Sequence, residues 1–241
     1  MQVSFGSGSV FAVPSGANPT PVQFGVLQDI AMDFSFSLKE LRGQFQFPVA
    51  LARGFGKATW KAKAAKLNAA AINSLFFNGT ASTGLELTAI NEVGTIAAAA
   101  VTVANSAVFQ TDLGCVNSVT GVQYTRVASA PAAGQYTVTV GGVYGFNATE
   151  NGTVMLFNYS YTAAAGGTKI QVVNQLMGNQ TTFQMVFNEK FNNQTVQFRF
   201  PAAVASKWTF GTKLEDFTIP EWDGEFTCDN AGNLCYLSTV E

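Results

Sequence analysis

The chain contains no histidine at all. That removes Ser-His-Asp and Cys-His nucleophilic catalysis, most zinc sites and the usual general base near neutral pH. Charge is scarce as well: Asp, Glu, Lys and Arg make up 12% of the 241 residues, against roughly a quarter in an average soluble domain. The polar surface must therefore be built mostly from Asn, Gln, Ser and Thr. A formal net charge of −2 is too small to argue for a nucleic-acid-binding surface, which shows as a basic excess on one face. The cysteines, Cys115, Cys228 and Cys235, have no metal-binding spacing. Cys228 and Cys235 flank the turn Asp229-Asn230-Ala231-Gly232-Asn233 and could face each other across a hairpin. A disulfide is geometrically possible there; a reduced pair is expected of a protein made in the cytosol. The longest apolar run, Ile96 to Val101, falls far short of the roughly 20 residues that span a bilayer, so no membrane partner is expected. The opening MQVSFGSGSV has no basic start ahead of its apolar part, and no signal peptide is expected. The Asn-x-Ser/Thr sequons at Asn78, Asn147, Asn151, Asn158, Asn179 and Asn193 then read as turn-forming, polar strand-end residues.

What the chain does have is phenylalanine, 21 of them, and clear period-two patterning. From Gln28 to Lys39, Ile30, Met32, Phe34, Phe36 and Leu38 alternate with Asp29, Ala31, Asp33, Ser35, Ser37 and Lys39, which is a half-buried strand. From Gly54 to Ala65 the pattern repeats, with Ala58, Trp60, Ala62 and Ala64 set against Lys57, Thr59, Lys61 and Lys63. The period then changes. Leu67, Ala71, Ile72, Leu75 and Phe76 form a helical stripe over 67–77, and Asn78-Gly79 supplies the stop. A surface this poor in charge and rich in Phe suits a protein that works packed against copies of itself.

Along the rest of the chain, residues 1–22 read as an arm or edge hairpin, with a short apolar piece at Val10–Val13. The stretch from Gly79 to Thr95 reads as a loop or weak strand, and Ile96 to Ala107 as a buried strand or the lead into one. Between about 108 and 165 come short β-runs, with hairpin signals at Gly141-Gly142 and Glu150-Asn151-Gly152. This reads as a small β-rich insertion on the outer side of a main domain formed by 1–107 and 166–241. In it Met155, Phe157, Tyr159 and Tyr161 form an aromatic face in need of a partner. Further strands are expected at Lys169–Gln175, at Gln180–Asn188 and Gln194–Phe200 as a hairpin closed by Pro201, at Lys213–Trp222 and at Leu234–Glu241. The fold expected is an all-β sandwich or barrel of about ten strands with one flanking α-helix.

Three segments carry a resemblance: FSFSLKELRGQFQFPVALARGFGK, KATWKAKAAKLNAAAINSLFFNG and the tail TKLEDFTIPEWDGEF with DNAGN after it. Together they resemble the major tail tube proteins of long-tailed bacteriophages, over roughly the first and last thirds of the chain. The resemblance implies a structural virion protein and no enzyme, assembled in the host cytoplasm and resident in the virion tail. Its partners would be itself, in hexameric rings stacked into a tube, other tail proteins at the tube ends, and genomic DNA that passes through the channel during ejection without specific binding. No cofactor, catalytic residue or metal is implied.

Charge distribution sharpens this. Seven of the 13 basic residues lie between Lys39 and Lys66, and seven of the 15 acidic ones between Glu215 and Glu241. The two segments either neutralise each other within one subunit or meet between subunits. Asp29 and Asp33 share one strand face; Lys57, Lys61 and Lys63 share another; Glu221, Asp223 and Glu225 share a third. These eight are the candidate polar strips, facing either a lumen or a neighbouring subunit. The acidic cluster that includes Glu215 and Asp216 lacks the pattern of a calcium loop and reads as a solvated or lumen-facing strip. Trp60, Trp208 and Trp222 are scattered and read as core or interface residues, not as a sugar-binding platform. The alternative reading is a tail- or capsid-surface β-domain that binds the host or decorates the head.

Overall fold

A computed structural model describes residues 5–66 and 69–240. Among the described residues the chain is all-β with a single short α-helix. It divides into two units, Met1–Thr80 with Ile170–Glu241, and Ala81–Lys169.

The first unit holds strands β1 (Ser9–Pro14), β2 (Val22–Gln23), β3 (Leu27–Arg42) and β4 (Pro48–Ala64), then helix α1 (Ala69–Ile72), which runs on as a π-helical turn over Asn73–Phe77. The second unit holds β5 (Ala81–Thr95), β6 (Ala100–Thr102), β7 (Phe109–Asn117), β8 (Thr125–Arg126), β9 (Gln135–Val138), β10 (Val143–Phe146) and β11 (Val154–Ile170). The chain returns to the first unit with β12 (Phe183–Phe191), β13 (Gln194–Thr209), β14 (Glu221–Thr227) and β15 (Tyr236–Thr239).

In the first unit the strands form one eight-stranded sheet in the order β2-β1-β12-β13-β14-β4-β3, with β15 paired to β13. Alternation explains its core. Ala58, Trp60, Ala62 and Ala64 are buried while Lys57, Lys61 and Lys63 are exposed. Trp222 and Phe226 of β14 bury on the same side. Phe24 meets both Trp60 and Trp222 edge-on, and Phe200 stacks on Phe226 with centroids 3.6 Å apart. Gly224 sits directly opposite Trp60, where a Cβ would collide with the Val204 carbonyl and the Trp60 indole. The helix closes this core through Ala71 and Leu75, one helical turn apart and both buried. It stops at Asn78, left-handed at φ 44°, as the Asn-Gly signal predicts. Leu67 of the expected stripe lies outside the described residues.

The second unit has its own core. A four-stranded sheet, β6-β10-β9-β8, and a three-stranded one, β5-β11-β7, enclose Met155, Phe157 and Tyr159. The aromatic face of β11 finds Tyr144, whose ring lies 4.7 Å from that of Phe157, and Phe109, 5.6 Å from Tyr159. Asp112 anchors the interior: it accepts hydrogen bonds from the hydroxyls of Tyr136 (2.7 Å) and Tyr144 (2.8 Å) and from the Gly114 amide (2.9 Å).

Several segments differ from expectation. The second unit starts at Ala81 and ends at Lys169, so it is wider than 108–165. The reason is that Gly79–Thr95, with weak alternation of its own, is drawn into a fifteen-residue strand by pairing with β11. Within Ile96–Ala107 only Ala100–Thr102 is strand, because Ala98 and Ala99 turn the chain at φ 49° and 58°. β1 and β2 do pair as a hairpin at the edge of the sheet, but Val10 and Ala12 are fully buried, so its inner strand is an integral part of the core and no arm. The chain leaves β11 at Ile170, and Gln171–Thr182 is irregular. Pro201 does not close a strand, for β13 runs on to Thr209. The proline is tolerated because β13 itself bulges there, Pro201 and Ala202 together opposing Gln184 of β12, and on the other edge it falls between Arg199, paired to β15, and Ala202, paired to β14. The segments Lys213–Trp222 and Leu234–Glu241 enter strands only at Glu221 and Tyr236. In all, fifteen strands stand among the described residues where the sequence suggests about ten.

Candidate functional site

Strands β3, β4, β14 and β13 are consecutive neighbours, and their polar faces line up in register. Asp29 pairs with Lys63, and Lys63 with Glu221. Next along, Ala31 pairs with Lys61, Lys61 with Asp223, and Asp223 with Lys207. The third row is Asp33, Thr59 and Glu225, and beyond it Ser35 faces Lys57. The eight candidate residues therefore share one sheet face, with a basic column between two acidic ones. Antiparallel pairing forces this, because directly opposed residues project to the same side.

The lysines choose one side. Lys63 Nζ lies 3.2 Å from Glu221 Oε1, and Lys57 Nζ lies 2.7 Å from Glu225 Oε1. Among the described residues no salt bridge engages Asp29 or Asp33. Neutralisation of the Lys39–Lys66 segment by the Glu215–Glu241 segment thus occurs within one subunit at these two pairs. Lys207 belongs to the face too and is invisible in the sequence: the β13–β14 register shifts between Ala205 and Lys207, and nothing in the local pattern announces that shift.

The second feature is the outer part of the β3–β4 hairpin. Pairing of β4 with β14 ends at Thr59, while β3 and β4 stay paired out to Arg42 and Pro48. Beyond Ala58 the hairpin is a two-stranded ribbon, and its apolar residues are uncovered. Phe45 is 73% exposed, Phe47 80% and Phe55 87%, and Phe36, Leu38, Leu41, Val49 and Leu51 are exposed as well. Phe55 sits in a bulge where Gly54 and Phe55 together face Ser37. Strong alternation made the base of this hairpin readable, but alternation alone reads Phe34, Phe36 and Leu38 as core, and they are exposed.

Other candidates resolve as structural. Cys115 is buried, which pushes its thiol up to about 12, with the Asp112 and Glu150 carboxylates adding to the effect. Burial, then the hydrogen bond to Asp112, pushes the Tyr136 and Tyr144 hydroxyls well above the ordinary phenol range. Cys228 is exposed and Cys235 half-buried, and both are free thiols. Asp229 is held below the usual carboxylate range by hydrogen bonds, foremost from the Asn233 amide, and closes its turn as an Asx cap. Asn78 ends the helix, the Asn147 side chain caps a short 3₁₀ turn, and Asn192 and Asn193 turn the β12–β13 hairpin at φ 49° and 62°. Trp60 and Trp222 are core residues. Among the described residues no group of three or more His, Cys, Asp or Glu could hold a metal ion, and no helix is long and apolar enough to cross a membrane.

No protein-family model and no curated protein matches the chain at a significant level.

Proposed function

We propose that this chain is the repeating subunit of a tail tube of a long-tailed bacteriophage, forming hexameric rings that stack around a channel for DNA ejection. The observation that carries the reading is the apolar ribbon. A monomer that leaves Phe45, Phe47 and Phe55 in water presents a ready aggregation surface, whereas a subunit that lives among copies of itself covers them. The charged face supports the same reading: five carboxylates (Asp29, Asp33, Glu221, Asp223, Glu225) against four ammoniums (Lys57, Lys61, Lys63, Lys207) leave a wall with no basic excess, past which DNA slides without being held. The role is structural, with no reaction, and its place is the virion tail after assembly in the host cytoplasm. Other tail proteins cap the tube ends.

Electron microscopy of the purified chain tests this directly. Rings or tubes are expected; dispersed single particles at high concentration would overturn the proposal. The second unit is expected to be dispensable for ring formation. Thr80 and Gln171 are joined by a backbone hydrogen bond of 3.4 Å, so the flanks can be connected by a short turn after residues 81–169 are deleted.

A second reading is favoured by the separate core of the second unit: a tail- or capsid-surface β-domain that binds the host or decorates the head. In that case the second unit alone would bind host cells and the full chain would stay dispersed.

A further inference from the structure

The basic column of the charged face has a feature that the tube reading does not require. Lys57, Lys61 and Lys63 project from one strand, with successive same-face positions about 6.8 Å apart, close to two base rises of one DNA strand. Unmasked, such a row is a track for a phosphodiester backbone. It is masked from one side only. Glu221 and Glu225 hold Lys63 and Lys57, whereas Asp29, directly opposite Lys63 on β3, makes no salt bridge with it. Lys61 lies between the two paired lysines, with Asp223 opposite it on β14 and Ala31 opposite it on β3.

We infer that Glu221 and Glu225 are the residues that keep this face from gripping a nucleic-acid backbone, an inference that rests on the reading of the face as a passage for DNA. The carboxylates of β3 contribute only to the general charge. The distinction is physical: an ion-paired lysine must give up a partner at contact distance to reach a phosphate, whereas an unpaired aspartate acts only through the field that salt screens. Both pairs are exposed, and Gln is isosteric with Glu, so the fold does not depend on these charges.

The test compares two double variants of equal charge change in the full-length protein: E221Q/E225Q and D29N/D33N. Each turns the face from five acids against four lysines into three against four. The probe is a fluorescently labelled single-stranded oligonucleotide, titrated at several salt concentrations. For E221Q/E225Q the expected gain is about tenfold or more in affinity at low salt, with the log–log salt slope steeper by about 1.4, as roughly 0.7 per phosphate for the two released lysines requires. D29N/D33N should gain less than about threefold. Adding K57Q and K63Q to E221Q/E225Q should abolish the gain. Equal gains for the two double variants would overturn the inference, since net charge alone would then govern. So would wild-type protein that already binds as tightly as E221Q/E225Q, or a gain that survives the lysine substitutions. The same preparations are imaged for rings. Rings without any gain in affinity would sink the glutamate inference and leave the tube reading standing; a gain without rings would do the reverse.

Discussion

Replacing Phe45, Phe47 and Phe55 together by threonine separates folding from assembly. Each ring is 73–87% exposed in the isolated subunit, so the monomer has little to lose, and surface changes of this kind shift stability by about 0.5 kcal/mol or less. Threonine, being β-branched, retains the strand preference that the aromatic Phe55 has within β4. In an assembly that covers the ribbon the loss is large. Full burial of a phenylalanine contributes about 1.5–3 kcal/mol, and these rings begin nearly naked, so three of them contribute about 4–7 kcal/mol per subunit contact. That corresponds to a fall in the association constant of about 10³- to 10⁵-fold. Sedimentation velocity over a concentration series reads the association, and thermal unfolding followed by circular dichroism reads the fold. The expected outcome is a well-folded monomer at concentrations where the parent protein polymerises. An unchanged association constant would refute the reasoning, for it would mean that the ribbon stays in water in the assembled state. A large drop in thermal stability would refute it from the other side, by showing that the ribbon is part of the monomer's own core.

Gly224→Ala should lower stability by about 1–3 kcal/mol, because the added methyl runs into the Val204 carbonyl and the Trp60 indole; an unchanged urea midpoint would contradict the packing. Asp112→Ala strips the acceptor from two tyrosine hydroxyls and one amide in the second unit and should cost about 2–5 kcal/mol, seen as an early transition confined to residues 81–169 in hydrogen exchange. The contribution of Tyr136 and Tyr144 to stability should be flat below about pH 10 and fall as the pH rises further. Tyr136 and Tyr144 have folded-state values raised above the ordinary one, so above pH 10 the unfolded chain gives up phenolic protons that the folded chain retains. Y136F/Y144F should lessen this alkaline decline in a pH series of denaturant melts, and an equally steep decline would count against the assignment. Cys228 should react at once with a thiol reagent in the native protein, while Cys115, buried and with its thiol pushed up to about 12, should react only on unfolding.

How much of this was legible beforehand follows from the range of the forces involved. Side-chain alternation is local, so β4 could be read from Ala58, Trp60, Ala62 and Ala64, and the stop at Asn78 from a residue that tolerates a left-handed backbone. The aromatic face of β11 was equally plain, since Met155, Phe157 and Tyr159 repeat at period two and need no partner to be recognised. Even the sharing of a face by Glu221, Asp223 and Glu225 is a property of one strand. What depends on a second strand was not legible. Gly79–Thr95 becomes a strand only because β11 hydrogen-bonds it, and Pro201 remains inside β13 only because β13 bulges there against β12 and the β15 and β14 pairings end on either side of it. Which carboxylates hold the lysines was equally beyond the sequence. Asp29 and Asp33 lie about 30 residues from Lys57–Lys63, and Glu221–Glu225 about 160, yet the distant pair forms the contacts because β14 docks on the other edge of β4. The clearest divide runs along β3 itself. One unbroken alternation extends from Ile30 to Leu38, but its apolar side is covered at Ile30 and Met32, half-covered at Phe34, whose ring stacks on Phe200, and open from Phe36 outward. A strand's sequence determines which residues share a face; only the sheet packed around it determines where that face stops being interior.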